Sequence, residues 1–568
     1  MTAIHSTYNF DRFLRYDEFT EWLRAKAAAH PHLMTLESYG HSHEGRDLWL
    51  VTITDSTTGT HDAKPAHWVD ANIHAIEVTG GVAALHLIHY LVTGFGNDPA
   101  ITEAVRTRTF YVAPRVNPDG VEWVLADSPQ FRRSSVRAWP WSDAHEAAGL
   151  HARDINGDGR VLTMRIPDST GNWMVSADEP RLMARVPANG AVSGTARYRM
   201  LFEGDVVDHD GFTVPMPPPP QSLDLNRNFP AGWGTTVTGS GDHPLSEPEI
   251  DGLVRAIVAR PNICGYNAYH TSGGVLLRPS STYSDSAMAP VDLWAFKQLG
   301  EKGAALTGYP VHSVFEDFTF DRSDTMSGAG DDWVYEHLGV YGWTTEFWDV
   351  VHQATGKKPS TVVWYTGPTA DEELAVYRWV VANHPEGYVD WAPFEHPQLG
   401  AVEIGGWDEV FSWSNAPASR LLAEVRPHAE FAVYQAMCSP RLEILHTRVV
   451  HLDGDTYRVE AGIANTGWLP TEISRKARKG RMVLPLVAEL TGAQVISGGA
   501  RGGARQELGQ LGGRLDMNFN SANNGGTNND GTPERVLATW IVKGISGTQI
   551  TIDASHQRAG RCAASVTL

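Results

Sequence analysis

Cysteine is scarce in this chain. Only three occur, Cys264, Cys438 and Cys562, too far apart for a spaced zinc or redox motif, and an odd, sparse set is typical of reduced thiols. Long apolar runs are missing too. No stretch approaches the length that spans a bilayer, and Met1 to Tyr16 lacks a basic region followed by an apolar run, so no signal peptide is expected. Basic residues are the minority, with Lys+Arg 46 against Asp+Glu 66 and a formal net charge of −20. That excess disfavours binding to nucleic acid or to an anionic membrane. Together these absences leave a cytoplasmic location as the expectation.

The remaining composition can build a large core. The chain has 42% hydrophobic residues and 19 Trp in 568 residues, a length for which about two or three domains are expected. Phe19, Leu23 and Ala27 recur at four-residue spacing, which predicts a helix over Tyr16 to His30 stopped by Pro31. Leu36 to Thr54 reads as two strands around Gly45, and Ala66 to Ile73 as a third strand. Gly80 to Thr93 reads as an apolar helix, with His86 and His89 as core or surface histidines rather than ligands. Thr109 to Pro114 is a further strand, ending in Arg115 to Gly120, a turn by composition. Strands alternating with helices indicate an α/β sandwich.

One stretch stands where chemistry is expected. His74 and Glu77 follow the strand at Ala66 to Ile73, and ligands of open α/β sheets bind at the carboxyl ends of strands. Three residues apart, an imidazole and a carboxylate lie on one side of a helical turn and can share a zinc ion. Other motifs follow in order: Asn117-Pro118-Asp119-Gly120, Phe131-Arg132-Arg133, Asp224-Leu225-Asn226-Arg227-Asn228-Phe229, Ser246-Glu247-Pro248-Glu249, His270-Thr271-Ser272 and Thr344-Thr345-Glu346. This series, from about Tyr16 to about Glu373, resembles the zinc metallocarboxypeptidases of the carboxypeptidase A type.

The resemblance implies an α/β/α sandwich with a mixed central sheet and zinc as cofactor. It implies His74, Glu77 and His270 as metal ligands, the same two histidines and one glutamate by which carboxypeptidase A is known to hold its catalytic zinc. Glu346 corresponds to the general base and Arg132 to the group that stabilises the oxyanion, with Arg133 and Arg137 near enough to leave that assignment open by a position. Asn226 and Arg227 correspond to the pair that holds a terminal carboxylate, a task suited to a bidentate guanidinium; a structural pair of Arg227 with Asp224 is the alternative. The substrate implied is a peptide or small amide, and nothing speaks to oligomeric state.

Several features depart from that family. Ile76 precedes the glutamate ligand where an arginine is common, and the family's mobile tyrosine would align with Asp324, in a segment, Ser323 to Gly328, without tyrosine. Residues of about 139–220 form an insertion expected to rim the active-site funnel and to limit access. Within it, Asp154, Asn156 and Asp158 place oxygens at alternate positions, as in the start of a calcium loop, although Arg165 stands where an EF-hand needs glutamate. Calcium, and a Gly/Asp turn capped by its own side chains, are the two readings. Asp331 falls at the floor of the side-chain pocket, where it favours a C-terminal Lys or Arg, or else it caps the helix that begins near Trp333.

Residues 1–385 are thus expected as the catalytic domain and 386–440 as a connector containing a helix over Ala418 to Met437. Period-two alternation in 441–568 predicts an antiparallel β-sandwich, with a flexible loop over Asn520 to Gly531 and with Trp468 and Trp540 as core residues. The expected activity is zinc-dependent removal of C-terminal residues. Hydrolysis of N-acyl amino acids, peptidoglycan peptides or other amides is the alternative, and a catalytically silent binding protein is a third.

Overall fold

The computed structural model describes residues 8–140, 147–188, 194–319, 321–322, 325–357, 366–499, 503–516 and 531–568. Asp324 and most of the Asn520–Gly531 loop lie outside them. The central sheet has eight strands, in spatial order Met34–His41, Asp47–Ile53, Thr109–Ala113, Ala66–Ala71, Ile263–Thr271, Tyr341–Phe347, Val275–Arg278 and Val311–Ser313. The middle pairings, from Thr109–Ala113 through Tyr341–Phe347, are parallel and both flanks contain antiparallel pairs, so the sheet is mixed.

Alternation along the strands feeds two cores, because successive side chains leave opposite faces. Val69, Ala71, Phe110, Val112, Val51 and Ile53 join one core, with Phe19 and Trp22 of the first helix and Leu85 and Ile88 of the helix Val78–Gly94. Trp68, Tyr111, Ala113 and Leu50 join the other, with Ile250, Leu253, Trp333 and Val334 from helices on the opposite face. All six residues of Ala66–Ala71 are buried, as a parallel strand covered on both faces requires. The result is the expected α/β/α sandwich. No single helix among the described residues is long and apolar enough to cross a membrane.

Two stretches differ from expectation. Asn117 to Gly120 starts a helix, Pro118–Val124, rather than a turn: Asn117 Oδ1 accepts the Gly120 amide at 2.9 Å and Pro118 takes the first helical position. Composition alone does not separate a turn from such an N-cap. The stretch expected as a connector is structured throughout. Tyr388–His396 and Gly400–Trp407 form a hairpin that pairs with the insertion strand Thr163–Pro167, building a six-stranded sheet with Tyr198–Phe202, Trp173–Val175 and Met183–Arg185. The helix Ala418–Met437 then buries Leu421, Val425, Ala429 and Ala432 in the first core. Sequence distance hid this pairing, since strand partners more than two hundred residues apart leave no local signal.

The C-terminal region is two antiparallel four-stranded sheets. One contains Leu442–Asp453, Thr456–Asn465, Arg535–Lys543 and Gln494–Gly498, and the other Arg505–Glu507, Val487–Thr491, Gln549–His556 and Gly560–Thr567. Val459, Ile463, Leu490, Trp540, Val542 and Ile552 fill the space between them, so Trp540 is a core residue. Trp468 is partly buried, its ring centroid 6.4 Å from that of Trp294 on the catalytic side. The amides of Arg475 and Lys476 donate to Asp292 at 2.8 and 3.0 Å, docking the two halves together.

Candidate metal centre

His74 and Glu77 stand in the turn between the strand Ala66–Ala71 and the helix Val78–Gly94, just ahead of the helix rather than on it. Close packing brings this turn to the next strand. A Cβ on Gly80 would lie 2.6 Å from the Tyr269 carbonyl oxygen, and one on Gly81 would lie 2.2 Å from Asn72 Oδ1. Only glycine lets the helix start abut the strand Ile263–Thr271 so closely. Asn72 itself has a positive φ of 55°, and its side-chain amide donates to the Glu77 carbonyl. The helix start is also held from outside: Asn415 Oδ1 accepts the Thr79 amide at 2.9 Å, while its Nδ2 donates to the carbonyls of Ile76 and Val410.

This packing gathers three donors. His74 Nδ1 is 2.8 Å from Glu77 Oε1, and His270 Nδ1 is 3.1 Å from His74 Nδ1 and 3.0 Å from Glu77 Oε2. All three residues are buried, and they form a group that can hold a metal ion. Ligands about 2.0–2.1 Å from a tetrahedral zinc are spaced by about 3.3 Å, so the donor set and its spacing fit that ion. Burial works against the charge of Glu77, but the imidazoles of His74 and His270 outweigh it and hold its carboxyl well below the usual range. The Thr271 amide adds a hydrogen bond to Glu77 Oε2 at 3.1 Å.

Behind the ligands, His74 Nε2 lies 3.0 Å from Asp224 Oδ1. Such a carboxylate orients a ligand imidazole and sets which ring nitrogen is available. Burial opposes ionisation of Asp224, yet the charges of His74, Arg133 and Arg227 keep its carboxyl far below the ordinary value. Asp224 was not anticipated in this role. Its side-chain partners are His74 and Arg133 rather than Arg227.

His270 and Glu346 are register partners on adjacent parallel strands, so their side chains leave the sheet on the same face. Among the described residues Glu346 Oε2 is buried without a hydrogen-bond partner. Burial, then the nearby charge of Glu77, pushes its carboxyl up to about 8.

The arginine at the site is Arg133, which corrects the expectation of Arg132. Arg133 Nη2 lies 3.3 Å from His74 Nε2, its Nε donates to Asp224 at 3.3 Å, and its Nη1 is 3.7 Å from Glu77 Oε1. Arg132 turns away, with its guanidinium 5.3 Å from the Trp123 ring centroid and hydrogen bonds to the Phe131 carbonyl and Gln130 Oε1. The Arg133 carbonyl accepts the Ala75 amide at 2.6 Å, which fixes the backbone here. Arg137 is occupied elsewhere, by Glu247 at 2.9 and 2.8 Å.

Asn226, Arg227 and Asp331 also come together. Asn226 Oδ1 accepts the Gly330 amide at 3.0 Å, tying its segment to the start of the helix Gly330–Leu338. Among the described residues Arg227 makes one side-chain hydrogen bond, to the Asn226 carbonyl at 2.9 Å. Asp331 is buried in the first turn of that helix, whose N-cap is Ala329 without a side-chain cap. Burial raises the carboxyl of Asp331, against the charges of His270 and Arg227 and the amide of Asp332.

Asp154, Asn156 and Asp158 are not part of the donor group of His74, Glu77 and His270. Asp154 accepts the amides of Gly157 and Gly159, Asn156 that of Asp158, and Asp158 that of Arg160, all between 2.7 and 2.9 Å. The loop's oxygens thus cap its own backbone. His86 packs against the rings of Phe10 and Tyr90, and His89 Nδ1 meets Lys26 Nζ at 3.1 Å; neither belongs to the donor group of His74, Glu77 and His270.

Fold and donor geometry together define a metallopeptidase-like site, and the sequence comparisons agree. The zinc carboxypeptidase family model matches residues 19–356, so the chain belongs to that family. A second model, for a domain of unknown function, matches residues 441–567. The chain is 38% identical to mouse Carboxypeptidase D over 102 residues, 18% of this chain and 7% of that protein. It is 26% identical to pig Carboxypeptidase A1 over 392 residues, 67% of this chain and 73% of that protein. It therefore spans under a tenth of the length of the first relative and about three quarters of the second. Among solved structures it is similar to Carboxypeptidase A from Helicoverpa armigera, with 18% identity, a TM-score of 0.41 and coverage of 68% of this chain and 78% of that one.

Proposed function

We propose that this chain is a zinc-dependent carboxypeptidase that hydrolyses the C-terminal bond of peptides. The observation that carries the reading is the unpartnered Glu346 carboxyl oxygen on the same sheet face as His270, beside the three converging donors. Zinc held by His74, Glu77 and His270 supplies a Lewis acid that lowers the pKa of water to about 7 and polarises a carbonyl. Glu346 takes the proton of the attacking water and returns it to the leaving amine. Arg133 faces the charge that develops on the carbonyl oxygen. Arg227, whose fork is largely unengaged within the protein, and Asn226 hold the substrate's terminal carboxylate. Asp331, not engaged as an N-cap, favours a basic C-terminal side chain.

The test is hydrolysis of peptides ending in Lys, Leu or Glu, each compared with its C-terminal amide, by wild-type protein and by Glu346→Gln. The expected result is cleavage of free-acid peptides, Lys first, with little on the amides, and a loss of about 10²–10⁴-fold in Glu346→Gln with zinc retained. Equal cleavage of acids and amides defeats the exopeptidase reading, and no preference for Lys removes the role of Asp331. The absence of tyrosine from Ser323 to Gly328 favours one second reading, hydrolysis of N-acyl amino acids, peptidoglycan peptides or another amide conjugate. Including N-acyl amino acids in the panel separates the two.

A further inference from the structure

A cavity of about 750 Å³ lies between the insertion, the Trp123–Arg132 segment and the end of the hairpin at Trp407–Val410. Its walls are mainly apolar, and three of them are large side chains that folding leaves exposed: Phe131 at 40%, Phe202 at 46% and Met216 at 57%. An apolar concavity with a few convergent polar groups is the usual form of a ligand site.

The polar groups point to the sign of the ligand's charge. Arg132 lines the cavity, its Nε has no partner, and no carboxylate pairs with it among the described residues. Burial, then the positive charge of Arg153 on the same wall, lowers the pKa of Arg132, and Arg153 itself lies 3.3 Å from Asp205. Two acids, Asp154 and Glu409, also line the cavity, but among the described residues neither forms an ion pair with Arg132. The oxygens of Asp154 hold the amides of Gly157 and Gly159. Burial, then Asp408, raises the carboxyl of Glu409 and favours its neutral form. Among the described residues the Gln221 side-chain oxygen is buried and unpartnered on the same wall. A guanidinium with no carboxylate partner and a free Nε, in apolar surroundings, favours a carboxylate more strongly than the same group does in open water.

Position relates this cavity to the metal centre. Arg132 is bonded to Arg133, which touches His74. Val410, on the cavity wall, is held by the same Asn415 that fixes Thr79 at the start of the metal-binding turn. The cavity shares no residue with the Asn226, Arg227 and Asp331 pocket. With the terminal carboxylate in that pocket, the part of a substrate left to reach the cavity is its acyl side.

We propose that this cavity is a second recognition site, taking the acyl side of a peptide and selecting a carboxylate on an apolar stem, glutamate foremost, through Arg132. The assignment to the acyl side rests on the carboxypeptidase reading above; the choice of an acidic ligand rests on the cavity itself.

The experiment is calorimetric binding to zinc-loaded protein carrying Glu346→Gln. The probes are N-acetylated peptides with a C-terminal Lys and one Glu stepped along the acyl side, each with its Gln counterpart. At one position Glu is expected to bind about tenfold more tightly than Gln, the factor one charge-assisted hydrogen bond supplies. Adding Arg132→Gln removes that difference. Met216→Trp, which fills the cavity from an exposed rim position, weakens the Glu peptide by a second route. Equal binding of Glu and Gln at every position overturns the proposal, as does an Arg132→Gln effect that is the same for both. If wild-type protein cleaves none of the peptides yet the Glu preference persists, the recognition site stands and the carboxypeptidase reading falls. Cleavage without the preference has the reverse meaning.

Discussion

His74 is held from both sides of its ring, by Glu77 at Nδ1 (2.8 Å) and by Asp224 at Nε2 (3.0 Å). The first contact belongs to the donor triangle and the second orients it. The distinction is measurable. Asp224→Asn keeps the shape but removes the charge that fixes the imidazole, and is expected to weaken zinc binding by about 10–100-fold. Competition with a chromogenic chelator reads this directly, and an unchanged zinc affinity would show that Asp224 serves only the packing of its loop.

Arg133, not Arg132, touches the ligand residues. Arg133→Ala is expected to lower kcat by about 10²–10³-fold with a smaller change in KM, as for a group that acts on charge developed in the transition state. Steady-state kinetics on the peptide cleaved best tests it; a change confined to KM would make Arg133 a substrate-binding group.

Gly80 meets the Tyr269 carbonyl where a methyl group does not fit. Gly80→Ala pushes the helix start away from the strand that carries His270, at an expected cost of about 1–3 kcal/mol in stability and with weaker zinc binding. Urea midpoints with and without zinc report both effects. A variant that gained stability, as alanine does in an ordinary helix, would refute the steric argument.

Acid should destabilise the fold through buried imidazoles. His428 lies fully buried between the rings of Tyr309 and Phe347, with centroids 4.8 and 4.5 Å away, and burial pushes it down to about 3. His67 is likewise pushed to about 3. A folded-state value below the unfolded one means that the unfolded chain takes up the proton first. The stability is therefore present above about pH 6.5 and is lost as the pH falls toward 3, by up to about 1.4 kcal/mol per pH unit for each group. His428→Phe removes one such proton and should flatten the fall in urea midpoint between pH 6.5 and pH 5. An unchanged slope would show that His428 does not take up a proton on unfolding.

Much of the chain was legible before folding was considered. Apolar patterning marked four of the eight central strands, at Leu36 to Thr54, Ala66 to Ile73 and Thr109 to Pro114, four-residue spacing marked the first helix, and period-two alternation marked the C-terminal sandwich, because those patterns follow from which face each side chain must bury. His74, Glu77, His270, Glu346, Asn226, Arg227 and Asp331 were visible as short motifs in order. The misjudged elements share a cause. Asn117 looked like a turn residue and is a helix cap. The stretch from Tyr388 to Trp407 looked like a connector, and its strand partner is Thr163–Pro167; long-range pairing has no local signature.

His74 and Glu77 owe their proximity to sequence, three positions within one turn. That His270 meets them, that Asp224 stands behind His74, and that Arg133 rather than its neighbour faces them were decided only by tertiary structure. These contacts depend on how closely the helix Val78–Gly94 approaches the strand Ile263–Thr271 and on which way an irregular loop turns its side chains. The residue types set which chemistry is available, and packing selected the atoms that meet.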